Sequence, residues 1–173
     1  MVKRVGLDID GVLANFGKAF AVKAQSMGLD IGVRADRWYY QDKWMQRSNE
    51  TVTKVWNEVK ASASFWLSLE TFDEDEWLVN SPIVYITARP IDSRFTVRWL
   101  DVLKFPPAPV ETVDYYADKI PAMNKYKLDT FVDDHIEAFE LYRRHGFNCL
   151  LMDRPWNRSY DTRHRIYSVN EAW

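Results

Sequence analysis

At 173 residues, 47% hydrophobic and 28% charged, the chain is long enough to bury one full core and too apolar to be disordered. A net charge of −2 supplies no basic footprint, so tight binding to duplex nucleic acid is not expected. The single cysteine excludes an intrachain disulfide framework, and no apolar run has signal-peptide or transmembrane character, so the expectation is a cytoplasmic protein with no membrane partner.

The first apolar run, Val5 to Ile9, predicts a strand leading into Asp8-Ile9-Asp10-Gly11-Val12-Leu13. Two acidic residues two apart are costly at a buried strand end unless a cation compensates their charge. Gly11 lets the chain turn sharply and brings backbone close to a ligand. The plain alternative is an Asp-rich turn that closes a strand.

The next stretch is too long for a simple crossover, which needs one helix. It predicts helices over Ala14–Met27, Tyr40–Arg47, Glu50–Ala61 and Asp73–Val79. This reads as a helical cap, residues 15–81, inserted into a core made of residues 1–14 and 82–173. Many of the eight tryptophans fall between Trp38 and Trp77, as suits a small insertion packed by large side chains.

A second strand, Ile83 to Thr87, ends in Thr87-Ala88-Arg89-Pro90, where a hydroxyl and backbone amides suit a phosphate oxygen. A helix over Ser93–Lys104 is followed by the loop Phe105-Pro106-Pro107-Ala108-Pro109 and a weaker strand, Val110 to Tyr116. Lys119–Lys127 reads as a short helix with Asp118 as N-cap. The fourth strand, Thr130 to Asp133, runs into Asp133-Asp134-His135, with Asp134 also placed to cap the helix Ile136–His145, which stops at Gly146. The fifth, Asn148 to Met152, contains Cys149 as a buried small hydrophobe.

Strands alternating with helices predict a parallel α/β sheet, in which ligands bind at the carboxyl ends of the strands. Asp8, Thr87 and Asp133 all occupy such ends. A carboxylate set with no competing His or Cys cluster describes a magnesium site and argues against zinc.

These residues carry a resemblance. Asp8-x-Asp10-Gly11-Val12, then Thr87, then a lysine, then Asp133-Asp134 resemble, in order, the four signature motifs of the haloacid dehalogenase-like hydrolase superfamily. Val12 stands where that superfamily more often has Thr. A closer likeness is to the 5′(3′)-deoxyribonucleotidase group and related phage and bacterial hydrolases. It rests on Asp8 to Ala14, Phe65-Trp66, Ile86-Thr87-Ala88-Arg89, Phe131-Val132-Asp133-Asp134 and Leu151 to Asn157.

The resemblance implies a Rossmann-like, haloacid dehalogenase-like sheet of order 3-2-1-4-5. It implies Asp8 as nucleophile and Asp10 as general acid and base. It implies Mg2+ held by Asp8, the Asp10 main-chain carbonyl and Asp133, with Asp134 close by. Thr87 and a lysine would bind phosphoryl oxygens. Lys119 fits that place best, with Lys125 and Lys127 as solvated charges. Ala88 and Arg89 fall on the substrate side. Phe65 and Trp66 either stack on a nucleobase or pack the cap, and Arg89, Arg154 and Arg158 either touch a second phosphate or base or are solvated.

The implied activity is magnesium-dependent hydrolysis of a phosphate monoester, most naturally a nucleoside monophosphate, by a 5′(3′)-deoxyribonucleotidase. The alternatives are a polynucleotide 3′-phosphatase, for which the acidic balance is unsuitable, and a noncatalytic binding protein on the same scaffold, for which four costly carboxylates have no use.

Overall fold

The computed structural model describes residues 3–29, 49–72, 78–114 and 118–173. The predicted helix Tyr40–Arg47, most of Asp73–Val79 and the end of the predicted third strand lie outside the described residues. The elements in chain order are β1 (Val5–Leu7), α1 (Phe16–Ser26), α2 (Asn49–Val59), α3 (Ala63–Leu67), β2 (Val84–Thr87), α4 (Ser93–Val102) and β3 (Val110–Thr112). They continue with α5 (Ile120–Lys125), β4 (Thr130–Asp133), α6 (Ile136–Arg144), β5 (Asn148–Met152), β6 (Arg165–Ile166) and a closing 3-10 turn, Val169–Ala172.

The strands form one sheet, β3-β2-β1-β4-β5-β6, and every neighbouring pair is parallel. The predicted order is met, with β6 added at the far edge. A two-residue strand leaves no apolar alternation to read, and neither β6 nor the five-residue α3 is foreseen from pattern. α3 is started by the Ser62 hydroxyl, which accepts from the Phe65 N–H at 3.3 Å.

β1 lies at the centre, with Gly6 opposite Val84 on one side and Phe131 on the other. All three of its residues are buried, as a strand covered on both faces requires. It is shorter than the predicted run to Ile9. The Asp8 N–H still donates to the Val132 carbonyl at 3.0 Å, and the chain then turns at Gly11, whose φ is +89°.

The helices after β1 share an apolar cluster with the sheet. Phe16, Phe20, Val55 and Trp66 belong to the same buried group as Val5, Leu7, Tyr85 and Trp99. Trp66 is 1% exposed and stacks on Phe16 at 5.6 Å between ring centres. Of the two readings of Trp66, packing is the one this arrangement carries, since a ring so covered presents no face to a ligand. Trp66→Ala should destabilise the fold by about 3–5 kcal/mol, the usual cost of emptying a buried aromatic site. Denaturant unfolding checks this, and a loss below about 1 kcal/mol would show that the site is not a packed core.

Cys149 is buried, and burial pushes its thiol well above the ordinary range, as suits an inert core residue.

Candidate active site

Parallel strands deliver their carboxyl ends to one edge of the sheet, and the acidic residues gather there. Asp8 follows β1 directly, and Asp133 and Asp134 end and follow β4, the neighbouring strand. One ligand atom from each of Asp8, Asp133 and Asp134 lies within 4.8 Å of the other two, and all three residues are buried.

Lys119 enters this cluster. Its ammonium lies 2.7 Å from Asp8 Oδ2 and 3.1 Å from Asp133 Oδ2. It is itself the N-cap residue of α5, and the Asp118 carboxylate accepts from the Ile120 N–H at 2.9 Å. The sequence places Asp118 as cap. The structure shifts the boundary by one residue, and that turn sends Lys119 inward. Lys125 instead pairs with Glu111 at the surface at 2.6 Å, and Lys127 is exposed.

The other oxygens of Asp8 and Asp133 have fixed donors. Asp8 Oδ1 accepts from the Ile9 N–H at 2.7 Å, and Asp133 Oδ1 from the His135 N–H at 2.9 Å. The predicted N-cap role of Asp134 is not what the structure has. His135 is the N-cap of α6, without a side-chain cap bond, and Asp134 Oδ2 accepts from the Trp156 indole N–H at 2.9 Å.

Gly11 packs directly on Asp134. A Cβ there would lie 2.3 Å from the Asp134 carboxyl carbon. The glycine is required by this close approach as well as by its positive φ.

Among the described residues, three buried carboxylates face one ammonium, and their proton affinities reflect it. Burial pushes Asp8 up to about 7, against the pull of Lys119 and with Asp133 and Asp10 adding to the rise. Burial, then Asp133 and Asp8, hold Asp134 well above the ordinary carboxylate range. Burial opposes the charge on Lys119, but Asp133 and Asp8 outweigh it and hold the ammonium more firmly protonated than usual. A cluster short of positive charge, with oxygen ligands only, fits a hard divalent cation.

A pH dependence follows for the metal-free protein. Asp8 binds its proton up to about 7 when folded and only to its ordinary 3.8 when unfolded. Between these values the folded chain holds the extra proton, so the Asp8 contribution to stability falls as pH rises from about 4 to about 7. Asp8→Asn removes that slope. In chelator, the variant should gain stability relative to the parent chain on going from pH 5 to pH 8. A difference in unfolding free energy that stays flat across the window would contradict the burial of an ionisable Asp8.

Asp10 is 19% exposed at its side chain and is clasped by Arg89. Arg89 Nε donates to both Asp10 oxygens, at 2.9 and 3.1 Å, and Nη2 donates to Oδ1 at 2.8 Å. The guanidinium is fully buried, 5.4 Å from the Trp66 ring centre and 4.8 Å from that of Trp99. Arg89 therefore corrects both readings of the sequence. It is neither solvated nor turned to an open ligand surface, because the carboxylate of Asp10 and two indole faces take it inside. Thr87 is buried at the end of β2, with its hydroxyl 3.5 Å from Asp10 Oδ2 and accepting from the Arg89 N–H. Ala88, between them, is half-buried.

Arg154 is corrected too. It is buried and donates to the Gly11 carbonyl at 2.7 Å and the Val12 carbonyl at 2.8 Å, with its guanidinium 3.6 Å from the Phe72 ring centre. It holds the turn after β1 in place. Arg158 is mostly exposed and pairs with Asp153. Phe65 is half-buried and lines an open groove of about 450 Å³ with Asn15, Lys18, Ser64 and Glu70.

No family model matches the sequence, and no curated protein matches it. Solved structures do match the fold. One is a dehalogenase with an intermediate complex, 13% identical, covering 100% of this chain and 97% of its own at a TM-score of 0.57. A second is an L-2-haloacid dehalogenase, 12% identical, covering 99% and 93% at 0.54. A third is a haloacid dehalogenase-superfamily hydrolase of subfamily IA from Geobacter sulfurreducens, 12% identical, covering 99% and 97% at 0.57.

The chain is thus an α/β protein with the haloacid dehalogenase-superfamily fold, the fold that its motifs resemble. Among the described residues, no helix is long and apolar enough to cross a membrane.

Proposed function

We propose that this chain is a magnesium-dependent phosphatase that hydrolyses a small phosphate monoester through Asp8, and that its substrate is a nucleoside monophosphate, as in the 5′(3′)-deoxyribonucleotidase group. The observation that carries this reading is the pairing of a buried Asp8–Lys119–Asp133–Asp134 cluster with a second carboxylate, Asp10, two residues along the same turn. The dehalogenases among the structural neighbours suggest a carbon–halogen bond as the other target. A halide leaves without a proton, whereas an alkoxide needs one, so only the second chemistry uses Asp10 as an acid in the first step.

An oxygen of Asp8 attacks phosphorus as the bond to the leaving alcohol breaks, and Asp10 gives that alcohol its proton. Asp10 then takes a proton from water, whose oxygen attacks phosphorus. The bond to Asp8 breaks, phosphate leaves and the Asp8 carboxylate is restored. Lys119 and Thr87 receive the phosphoryl oxygens as charge builds on them. Arg89 fixes the plane of the Asp10 carboxylate through its paired donors.

Asp8, Asp133 and Asp134, with the Asp10 main-chain carbonyl, would hold Mg2+. When bound, the ion supplies positive charge to the phosphoryl oxygens.

We assign residues 15–81 to a cap and residues 1–14 and 82–173 to the catalytic core, with a cytoplasmic setting suggested by the lone buried cysteine. With Trp66 inside the core, Phe65, on the groove, is the aromatic left to meet a base. Phosphate release from a panel of nucleoside monophosphates and an end-phosphorylated oligonucleotide, with magnesium or with chelator, tests the reading. Release from the monophosphates only with magnesium is expected. Activity confined to the oligonucleotide favours a polynucleotide 3′-phosphatase, and no release from any ester leaves a binding protein or the carbon–halogen chemistry.

A further inference from the structure

The geometry points to Trp156 as the residue that sets which divalent cation the carboxylate cluster accepts, favouring Mg2+ over Ca2+ by keeping Asp134 to one free oxygen. The inference rests on the metal-dependent reading above and concerns the choice of ion.

Asp134 has little freedom. The backbone of Gly11 sits where a Cβ would lie 2.3 to 2.4 Å from the carboxyl carbon and both carboxylate oxygens. The Trp156 N–H holds Oδ2 at 2.9 Å. Trp156 is itself fixed by its neighbours. Asn157 is fully buried, and its amide donates to the Asp134 carbonyl at 2.9 Å and to the Met152 carbonyl at 2.8 Å. Its carbonyl oxygen accepts from the Arg154 N–H at 3.1 Å and from Arg165 Nη1 at 2.6 Å. The Phe72 ring lies 6.3 Å from the Trp156 ring and also carries the Arg154 guanidinium. The turn from Arg154 to Asn157 therefore joins the Gly11–Val12 backbone to Asp134 through buried hydrogen bonds.

A cation that chelates Asp134 must share both oxygens, and at Oδ2 it meets the positive end of a fixed N–H. Binding through one oxygen avoids that conflict. Mg2+ takes carboxylates one oxygen at a time in a tight octahedron, whereas Ca2+ takes six to eight oxygens and readily accepts bidentate carboxylates. The indole donor is thus placed to penalise the larger ion. Partners of metal-ligating carboxylates commonly change metal affinity by about 10–100-fold when removed.

The test is isothermal titration calorimetry of the full chain with MgCl2 and, separately, CaCl2. The parent is compared with Trp156→Phe, which keeps an aromatic ring and removes the N–H. The expected result is a ratio of Mg2+ to Ca2+ affinity that falls about tenfold in the variant, with the ratio regained in Trp156→Gln, whose amide can donate in the same place. A ratio within about twofold of the parent's overturns the inference and leaves the metal-dependent reading standing. Absence of binding by both ions to the parent overturns both.

A crystal structure of the parent soaked in CaCl2 covers the case in which the variants do not fold. Asp134 should bind through a single oxygen with Oδ2 still on Trp156, and a bidentate Asp134 there contradicts the inference.

Discussion

Asp8→Asn should abolish turnover of any phosphate monoester while leaving the chain folded. An amide oxygen is too weak a nucleophile to form the bond to phosphorus, so the loss should reach several orders of magnitude. The fold should survive because Asn keeps the shape and can still accept from the Ile9 N–H, now made to Asp8 Oδ1 at 2.7 Å. The substitution also removes a charge that burial resists. Rates measured beside circular dichroism, with deamidation excluded by mass spectrometry, check both halves. Retention of more than a few percent of the parent rate would remove Asp8 as nucleophile.

Lys119→Ala should be nearly as damaging, and Lys125→Ala should not. Removing one fixed electrostatic partner of a developing charge typically costs about 100- to 1,000-fold in rate. Lys119 reaches Asp8 at 2.7 Å and Asp133 at 3.1 Å inside the protein, so its loss also leaves two buried carboxylates without their cation. Lys119→Ala should therefore lose stability as well, and rates are to be compared at a temperature where both variants are folded. Lys125 is largely exposed and pairs with Glu111, a surface ion pair worth about 0–1 kcal/mol with no path to the reaction. A crippled Lys125→Ala beside an active Lys119→Ala would reverse the assignment.

The sheet was legible because its strands are apolar runs of a fixed kind. Thr130–Asp133 and Asn148–Met152 appear with their predicted bounds, and the first five strands take the order that the resemblance implies. Asp8 and Asp133 were legible as a group because parallel strands bring their carboxyl ends to one edge, whereas Lys119 was reached through the resemblance, in which the lysine starts the helix before the fourth strand. What escaped was decided by partners distant in sequence. Nothing local in Thr87-Ala88-Arg89-Pro90 says that Arg89 folds back between Trp66 and Trp99 to hold Asp10, 79 residues earlier.

The same holds for the tail. Leu151 to Asn157 supported a resemblance, but the bonds from Arg154 to Gly11 and from Trp156 to Asp134 span 143 and 22 residues. Asp134 read as a helix cap because capping is a local rule. The indole donor that displaces that role comes from another element. β6 and α3 are too short for periodicity to register.

Chemical trapping on Asp8 tests the central claim most directly. The chain is mixed with magnesium and a nucleoside monophosphate, quenched within a turnover and treated with borohydride, which reduces an acyl phosphate to an alcohol. Peptide mass spectrometry should then find homoserine in place of aspartate at position 8, and only when substrate is present. Sustained phosphate release with an unmodified Asp8, or with the reduced residue at another position, would contradict it.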